Sequence, residues 1–118
     1  MNWYRRAQYQ IHLWLDDERD PKDPKIQKDF GAKGDELWVK TVEEAIPHIE
    51  SGGVTSISFD NDLGEGLKEG RHLAEWIESM AYHKKIPQMQ WTVHSKNYPA
   101  SMSIIMAMKN ADKYWNEK

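Results

Sequence analysis

Residues 54–64 read Val-Thr-Ser-Ile-Ser-Phe-Asp-Asn-Asp-Leu-Gly. The first half is rich in β-branched and aromatic side chains, which predicts a strand over Val54–Phe59 with Ile57 and Phe59 on one face. The second half, Asp60 to Gly64, predicts a polar turn directly at the strand's carboxyl end. The same grammar occurs twice more. Ile11–Leu15 (IHLWL) is a short apolar run, suited to burial on both faces, and it leads into Asp16-Asp17-Glu18-Arg19. Met89–Val93 leads into His94-Ser95-Lys96-Asn97. Leu37-Trp38-Val39 is one further short strand.

Helical signals fall between the strands. Thr41 to Glu44 has capping-box spacing, with the Thr hydroxyl serving the Glu44 N–H. The helix it opens runs to about Ser51, is kinked or shortened by Pro47, and is stopped by Gly52-Gly53. From Lys68 to His83, Leu73, Trp76, Ile77, Met80 and Ala81 follow the spacing of an amphipathic helix. Pro99 opens a last helix with Ile104, Ala107, Met108, Ala111 and Trp115 on one stripe. Residues 16–35 are rich in charge, Pro and Gly and form a long loop, with a short turn of helix around Ile26 to Phe30. The order is β, loop, β, α, β, α, β, α. That order predicts an α/β domain of three layers, its mostly parallel four-stranded sheet covered on both faces. In such sheets ligands bind beyond the carboxyl ends of the strands.

Composition fits one cytoplasmic domain spanning residues 1–118, with residues 1–10 as an N-terminal extension. The chain has 118 residues, a formal net charge of −3 and six Trp, too apolar and aromatic for a disordered chain. No apolar run reaches the roughly 18 residues of a membrane span, and MNWYRRAQYQ lacks the apolar stretch of a secretory signal. Without Cys, disulfide scaffolds, thiolate metal sites and thiol catalysis are excluded. Trp14, Trp76 and Trp91 are core candidates, whereas Trp3, Tyr4 and Tyr9 offer a surface to a sheet edge or a protein partner.

The three polar clusters converge on one sheet edge, and their residue types define a chemistry. Carboxylates crowded together stay ionised only beside a cation or else take up protons. Hard oxygen donors in small loops suit Mg²⁺, with Mn²⁺ or Ca²⁺ as alternatives. Arg19 can clamp a phosphate bidentately, Ser95 and Asn97 can donate to one, and His94 is a proton donor and acceptor near neutrality. Each cluster also has a purely structural use: a D-D pair as a turn or cap, D-N-D-L-G as an Asx-turn, His94 as a packed histidine. D-N-D-L-G begins like an EF-hand loop, but the sixth-position Gly and twelfth-position Glu are missing.

An acidic pair after the first strand, an Asp after the third and a Ser after the fourth resemble the receiver domain of two-component signalling. That resemblance makes Asp60 a phosphoryl acceptor, but too few residues follow Ser95 for the receiver's fifth strand and its Lys. The segments LWLDDERDP, ISFDNDLG, EGRHLAEWI and VHSKN more closely resemble the cyclic-phosphate processing receiver family, over roughly Ile11 to Met108. Its motifs are L-D-D-x-R, matched by Asp16, Asp17 and Arg19; D-H-D-L-G, matched by Asp60, Asp62 and Gly64; and H-S-x-N, matched by His94, Ser95 and Asn97. Asn61 stands where the second motif has His, and Tyr98-Pro99-Ala100-Ser101 replaces the family's small-residue turn. The resemblance implies a flavodoxin-like, receiver-like fold truncated before the fifth strand.

Three functions compete. A Mg²⁺- or Mn²⁺-dependent phosphoesterase would act on cyclic phosphates, either 2′,3′-cyclic RNA ends or cyclic nucleotides. Asp16, Asp17 and Asp60 would hold the metal, and Arg19, Ser95 and Asn97 the phosphate. Asp62 would be a further ligand or a base, and His94 would protonate the leaving oxygen. Alternatively the pocket binds a nucleotide or metal without turnover, or the aromatic N-terminal segment engages a protein. A phosphoacceptor at Asp60 ranks third. A small domain of this kind suits a bacterium or a phage, and host cytoplasm in the latter case.

Overall fold

The computed structural model describes residues 10–117. The aromatic residues Trp3, Tyr4 and Tyr9, expected to meet a partner, lie outside the described residues. The elements are β1 (Ile11–Leu15), α1 (Pro24–Phe30), β2 (Leu37–Val39), α2 (Val42–Glu50), β3 (Val54–Phe59), α3 (Gly70–Tyr82), β4 (Gln90–Val93) and α4 (Tyr98–Asn116). All four strands are parallel, in the order β2-β1-β3-β4. This is the parallel α/β architecture that the strand and helix pattern predicts, and the truncated receiver-like fold that the resemblance implies. The short helical turn expected within the long loop is α1, and α2 runs through Pro47 rather than ending there.

One face of the sheet carries the main core. Side chains alternate along a strand, so Leu13, Leu15, Val39, Ile57 and Phe59 share a side. There they pack with Ala45 and Ile49 of α2, Leu73, Ala74 and Ile77 of α3, and Ile104, Ala107 and Met108 of α4. The helices begin where side-chain caps satisfy their first N–H groups. Thr41 Oγ1 accepts from Glu44 N at 3.1 Å, and Asn97 Oδ1 accepts from Ala100 N at 3.3 Å. Such a cap stabilises a helix by about 1 kcal/mol. Two indoles fasten α4: Trp91 Nε1 donates to Asp112 at 2.9 Å and Trp115 Nε1 to the Ile86 carbonyl at 3.0 Å. Trp76 and Trp91 pack against the core as half-buried residues.

The second face differs from the expectation of equal cover. His12, Trp14, Ser56, Ser58 and Thr92 project from it, and they line a groove with Phe30, Gly31, Lys33, Asp35 and Glu36. The layer on this side is α1, which has no buried residue, and its following turn. The reason is in the residue types. His12 Nδ1 meets Ser56 Oγ at 2.6 Å and Thr92 donates to Ser58 at 3.0 Å, so this face satisfies itself with hydrogen bonds where the other buries aliphatic side chains. Trp14 is 1% exposed, yet it belongs to this polar face and not to the main core. Among the described residues no helix is long and apolar enough to cross a membrane.

Candidate functional site

The parallel ladder overruns its strands by one residue at three places. Asp16 N donates to the Val39 carbonyl at 3.1 Å, Asp60 N to Leu15 at 2.9 Å, and His94 N to Phe59 at 2.9 Å. These bonds hold Asp16, Asp60 and His94 abreast at the carboxyl edge. Period-two alternation puts Asp16 on the side of Trp14, Asp60 on that of Ser58, and His94 on that of Thr92. Asp17 follows on the loop. One carboxylate oxygen from each of Asp16, Asp17 and Asp60 lies within 4.8 Å of the others, an arrangement able to hold a metal ion.

Asp16 is fully buried and its oxygens are well supplied with donors. Oδ1 accepts the N–H groups of Glu18 and Arg19, both at 2.9 Å. Oδ2 faces Arg19 Nη1 at 3.2 Å and His94 Nε2 at 3.0 Å. Burial alone would raise its pKa, but the bonds from His94, Arg19 and Glu18 outweigh burial and hold it below the usual carboxylate value. Asp60 has fewer donors. Burial first, and then the charge of Asp16, push it up to about 6, against the pull of the Asn61 N–H and of Arg19. Arg19 Nη1 lies 3.5 Å from Asp60 Oδ2, so one guanidinium serves both carboxylates. Its carbon sits 4.3 Å from the centre of the Phe30 ring, a cation–π contact that steadies it.

His94 stands at the expected carboxyl edge, with its ring turned toward the second face. Its ring is stacked on Trp14 at 3.9 Å and 5°, and it lines the groove of the second face. Burial lowers its pKa, although the bond to Asp16 works against this, and the neutral ring is favoured. Nε2–H then donates to Asp16, while Nδ1 meets Ser58 Oγ at 2.7 Å and accepts from it. Both nitrogens are thus engaged, and His94 is not among the residues that line the cleft. Ser95 is placed similarly. It does not line the cleft, and its hydroxyl accepts from Asn97 N at 3.1 Å.

The cleft has a volume of about 730 Å³ and is lined by Asp17, Arg19, Asp60, Asp62, Lys96, Asn97 and the loop after β3. Asp62 is exposed, and its oxygens face Asn61 Nδ2 at 3.2 Å and Asn97 Nδ2 at 3.5 Å. Asn61, by contrast, is fully buried. Its Oδ1 accepts from Arg71 N at 3.0 Å and its carbonyl from Gly70 N at 2.8 Å, so position 61 docks the first turn of α3 beneath Asp60. Gly70 is required for that approach, because a Cβ there would lie 2.1 Å from the Asp60 carbonyl oxygen. Gly64 turns the loop at φ +123°, a conformation open to glycine.

The structure therefore brings together Asp16, Asp17, Asp60, Arg19, Asp62 and Asn97, with His94 bonded to Asp16 and Ser95 to Asn97 but neither lining the cleft. Trp14, Ser58, Phe30, Lys96 and Gly70 join the site without having been singled out for it. The alternation His12-Trp14-Asp16 and Ser56-Ser58-Asp60 was the available signal for Trp14 and Ser58. Phe30 and Lys96 meet only through tertiary structure, with Lys96 Nζ 5.0 Å from the ring centre.

Comparison with curated proteins and with solved structures gave no match. The profile of the cyclic-phosphate processing receiver domain matches residues 11–110, which span all four strands, the acidic trio and most of α4. The chain belongs to the cyclic-phosphate processing receiver family.

Proposed function

We propose that the protein is a phosphoesterase of the cytoplasm that uses a divalent cation to open cyclic phosphates, either 2′,3′-cyclic ends or cyclic nucleotides. The observation that carries this reading is the clustering of Asp16, Asp17 and Asp60 oxygens within 4.8 Å in a family member. The donor set fits Mg²⁺ or Mn²⁺: all ligand atoms are hard oxygens, and the Asp60 pKa is raised by burial and then by the charge of Asp16, both of which a cation would offset. The charge balance points the same way. Six carboxylates and two cations line the cleft, so a phosphate entering it meets net repulsion unless positive charge is added.

A bound cation would polarise the phosphoryl oxygen and lower the pKa of a water. Arg19, already poised between Asp16 and Asp60, binds the phosphate, with Asn97 as a further donor. Asp62, exposed on the cleft wall, orients the attacking water. Water adds to phosphorus and gives up a proton to Asp62, one ring P–O bond breaks, and the 2′- or 3′-oxygen takes a proton from cleft water, which Asp62 restores, to give a monoester. His94 acts through Asp16: its Nε2–H holds the carboxylate in place from behind. The test is incubation of the purified chain with Mg²⁺ or Mn²⁺ and a 2′,3′-cyclic nucleotide, followed by phosphorus NMR. Release of the monoester, lost in Asp17→Asn, supports the reading. No turnover across a panel of cyclic phosphates refutes it.

One observation favours a second reading. Both nitrogens of His94 are engaged away from the cleft, so no imidazole is available there, as suits a domain that binds its ligand without turnover. Calorimetric saturation with the cyclic nucleotide recovered intact distinguishes the two.

A further inference from the structure

Two cations line the cleft, and they are held differently. Arg19 is engaged by Asp16 at 3.2 Å and Asp60 at 3.5 Å. Lys96 is exposed and forms no ion pair among the described residues, although carboxylates line the cleft around it. Its ammonium rests instead over Phe30, 5.0 Å from the ring centre. Both ends of this contact are anchored. Asn97 N donates to Ser95 Oγ and Asn97 caps α4, which fixes the backbone on either side of Lys96. Phe30 closes α1, whose end is set by Gly31 in the left-handed conformation with its N–H on the Gln27 carbonyl. The Phe30 ring is thus a post shared by the two cations of the cleft.

We propose that Lys96, steadied by Phe30, is a second phosphate-contacting group of the cleft, acting alongside Arg19. The proposal rests on the phosphoesterase reading and adds a residue to its anion site. A cation bound by the inner aspartates leaves Asp62, Glu65 and Glu69 facing an incoming phosphate, and a positive charge on the same wall offsets them. Arginine binds through a planar fork, which here is already turned toward carboxylates. An ammonium is a compact charge on a flexible stem and follows a phosphate oxygen over a range of positions. A cation–π contact at an exposed site is weak, whereas a charge-assisted bond to phosphate is strong. The exchange therefore favours the ligand.

The experiment is calorimetric titration of inorganic phosphate into the full chain with Mn²⁺ present, and of Mn²⁺ alone. Lys96→Gln is expected to weaken phosphate binding about tenfold, the scale of one lost charge-assisted contact, while Mn²⁺ binds as tightly as before or more so. Phe30→Leu weakens phosphate binding about threefold, since the contact it steadies is weak. Lys109→Gln, the same charge change on the exposed surface of α4, leaves phosphate binding unaltered. Phosphate binding by Lys96→Gln equal to that of the wild type, or of Lys109→Gln, overturns the proposal and leaves the phosphoesterase reading standing. Phe30→Leu indistinguishable from wild type removes Phe30 as the post. A wild-type chain that binds no phosphate overturns both.

Discussion

Replacing Asp60 by Asn should stabilise the metal-free protein at neutral and alkaline pH. Asp60 is buried, with a side chain only 7% exposed, and its carboxyl is raised from 3.8 to about 6 by burial and by the charge of Asp16. The folded chain therefore holds this proton more tightly than the unfolded chain does. The resulting stability is fully present below pH 3.8 and is lost as pH rises through 6. A difference of roughly 2.2 pKa units at 1.36 kcal/mol each amounts to about 3 kcal/mol. Asn keeps an oxygen for the Asn61 N–H, at 2.9 Å from Asp60 Oδ1, and carries no charge. Urea unfolding in chelator, followed by circular dichroism from pH 4 to pH 8, measures the gap between Asp60→Asn and wild type. Over this range it should widen by about 2.4 kcal/mol, or by roughly 8 °C in Tm for a domain of this size, the remainder of the roughly 3 kcal/mol falling below pH 4. The titrations of Asp16 and His94 occur in both proteins and largely cancel. Added Mg²⁺ at pH 8 should narrow the gap, because a ligand of the folded state stabilises by about 2.7 kcal/mol at a hundred times its Kd. A gap independent of pH, or a variant less stable than wild type at pH 8, would refute the account of Asp60 as a buried like-charge partner.

Gly70→Ala should lower stability by about 3 kcal/mol or more, because its Cβ meets the Asp60 backbone, with O at 2.1 Å and C at 3.0 Å, where no flexible side chain can yield; urea unfolding measures it, and a neutral outcome would mean that α3 does not dock under Asp60. Ser58→Ala should cost about 1–2 kcal/mol by leaving the buried His94 Nδ1 without its donor, and the nitrogen-15 shifts of His94 should register the loss. His94 itself works in the opposite sense to Asp60. Its folded pKa is depressed below 6.5 by burial, so its contribution is present above 6.5 and is lost as pH falls through the lower folded value; a proton NMR titration of the ring placing its midpoint above 6.5 would contradict this.

The parts of the fold legible in the sequence are those set by local pattern. Val54–Phe59, Leu73 to Ala81 and the Thr41 cap lie where period and capping chemistry place them, because each depends on residues within a few positions of one another. The acidic trio was legible for a related reason: Asp16 and Asp60 directly follow apolar strands, Asp17 is next to Asp16, and a parallel sheet collects such positions at one edge. Register across strands was harder to read. Trp14 looks like core by volume and hydropathy, but its face is fixed by its alignment with Trp38 on β2 and Ser58 on β3. His94 follows a strand, which predicts its place at the sheet's edge but not the direction of its ring. The ladder continues through its N–H to Phe59, which keeps it in phase with Thr92 and turns its ring onto the sheet face. Asn61 was read against a motif that carries His there, and only the docking of α3 shows a buried amide serving a helix start.

Rigid and adaptable parts of the site come from different pieces of backbone. Asp16, Asp60 and His94 are held by ladder bonds to neighbouring strands, so their mutual distances follow the sheet itself. Asp17, Asp62, Lys96 and Asn97 sit on loops beyond the strand ends. The two groups should then report through different measurements. A substitution among the strand-held residues changes how burial and like charge are balanced, and it appears in stability and in its pH dependence. A substitution among the loop-borne residues changes what the cleft attracts, and it appears in ligand affinity with little effect on unfolding. Arg19 joins the two groups. Its N–H is fixed on Asp16 Oδ1, while its guanidinium, 27% exposed, spans Asp16 and Asp60 under Phe30. Its loss should register in both kinds of experiment, weakening phosphate binding and at the same time raising the Asp60 pKa still further, since its charge is among the influences now holding that value down.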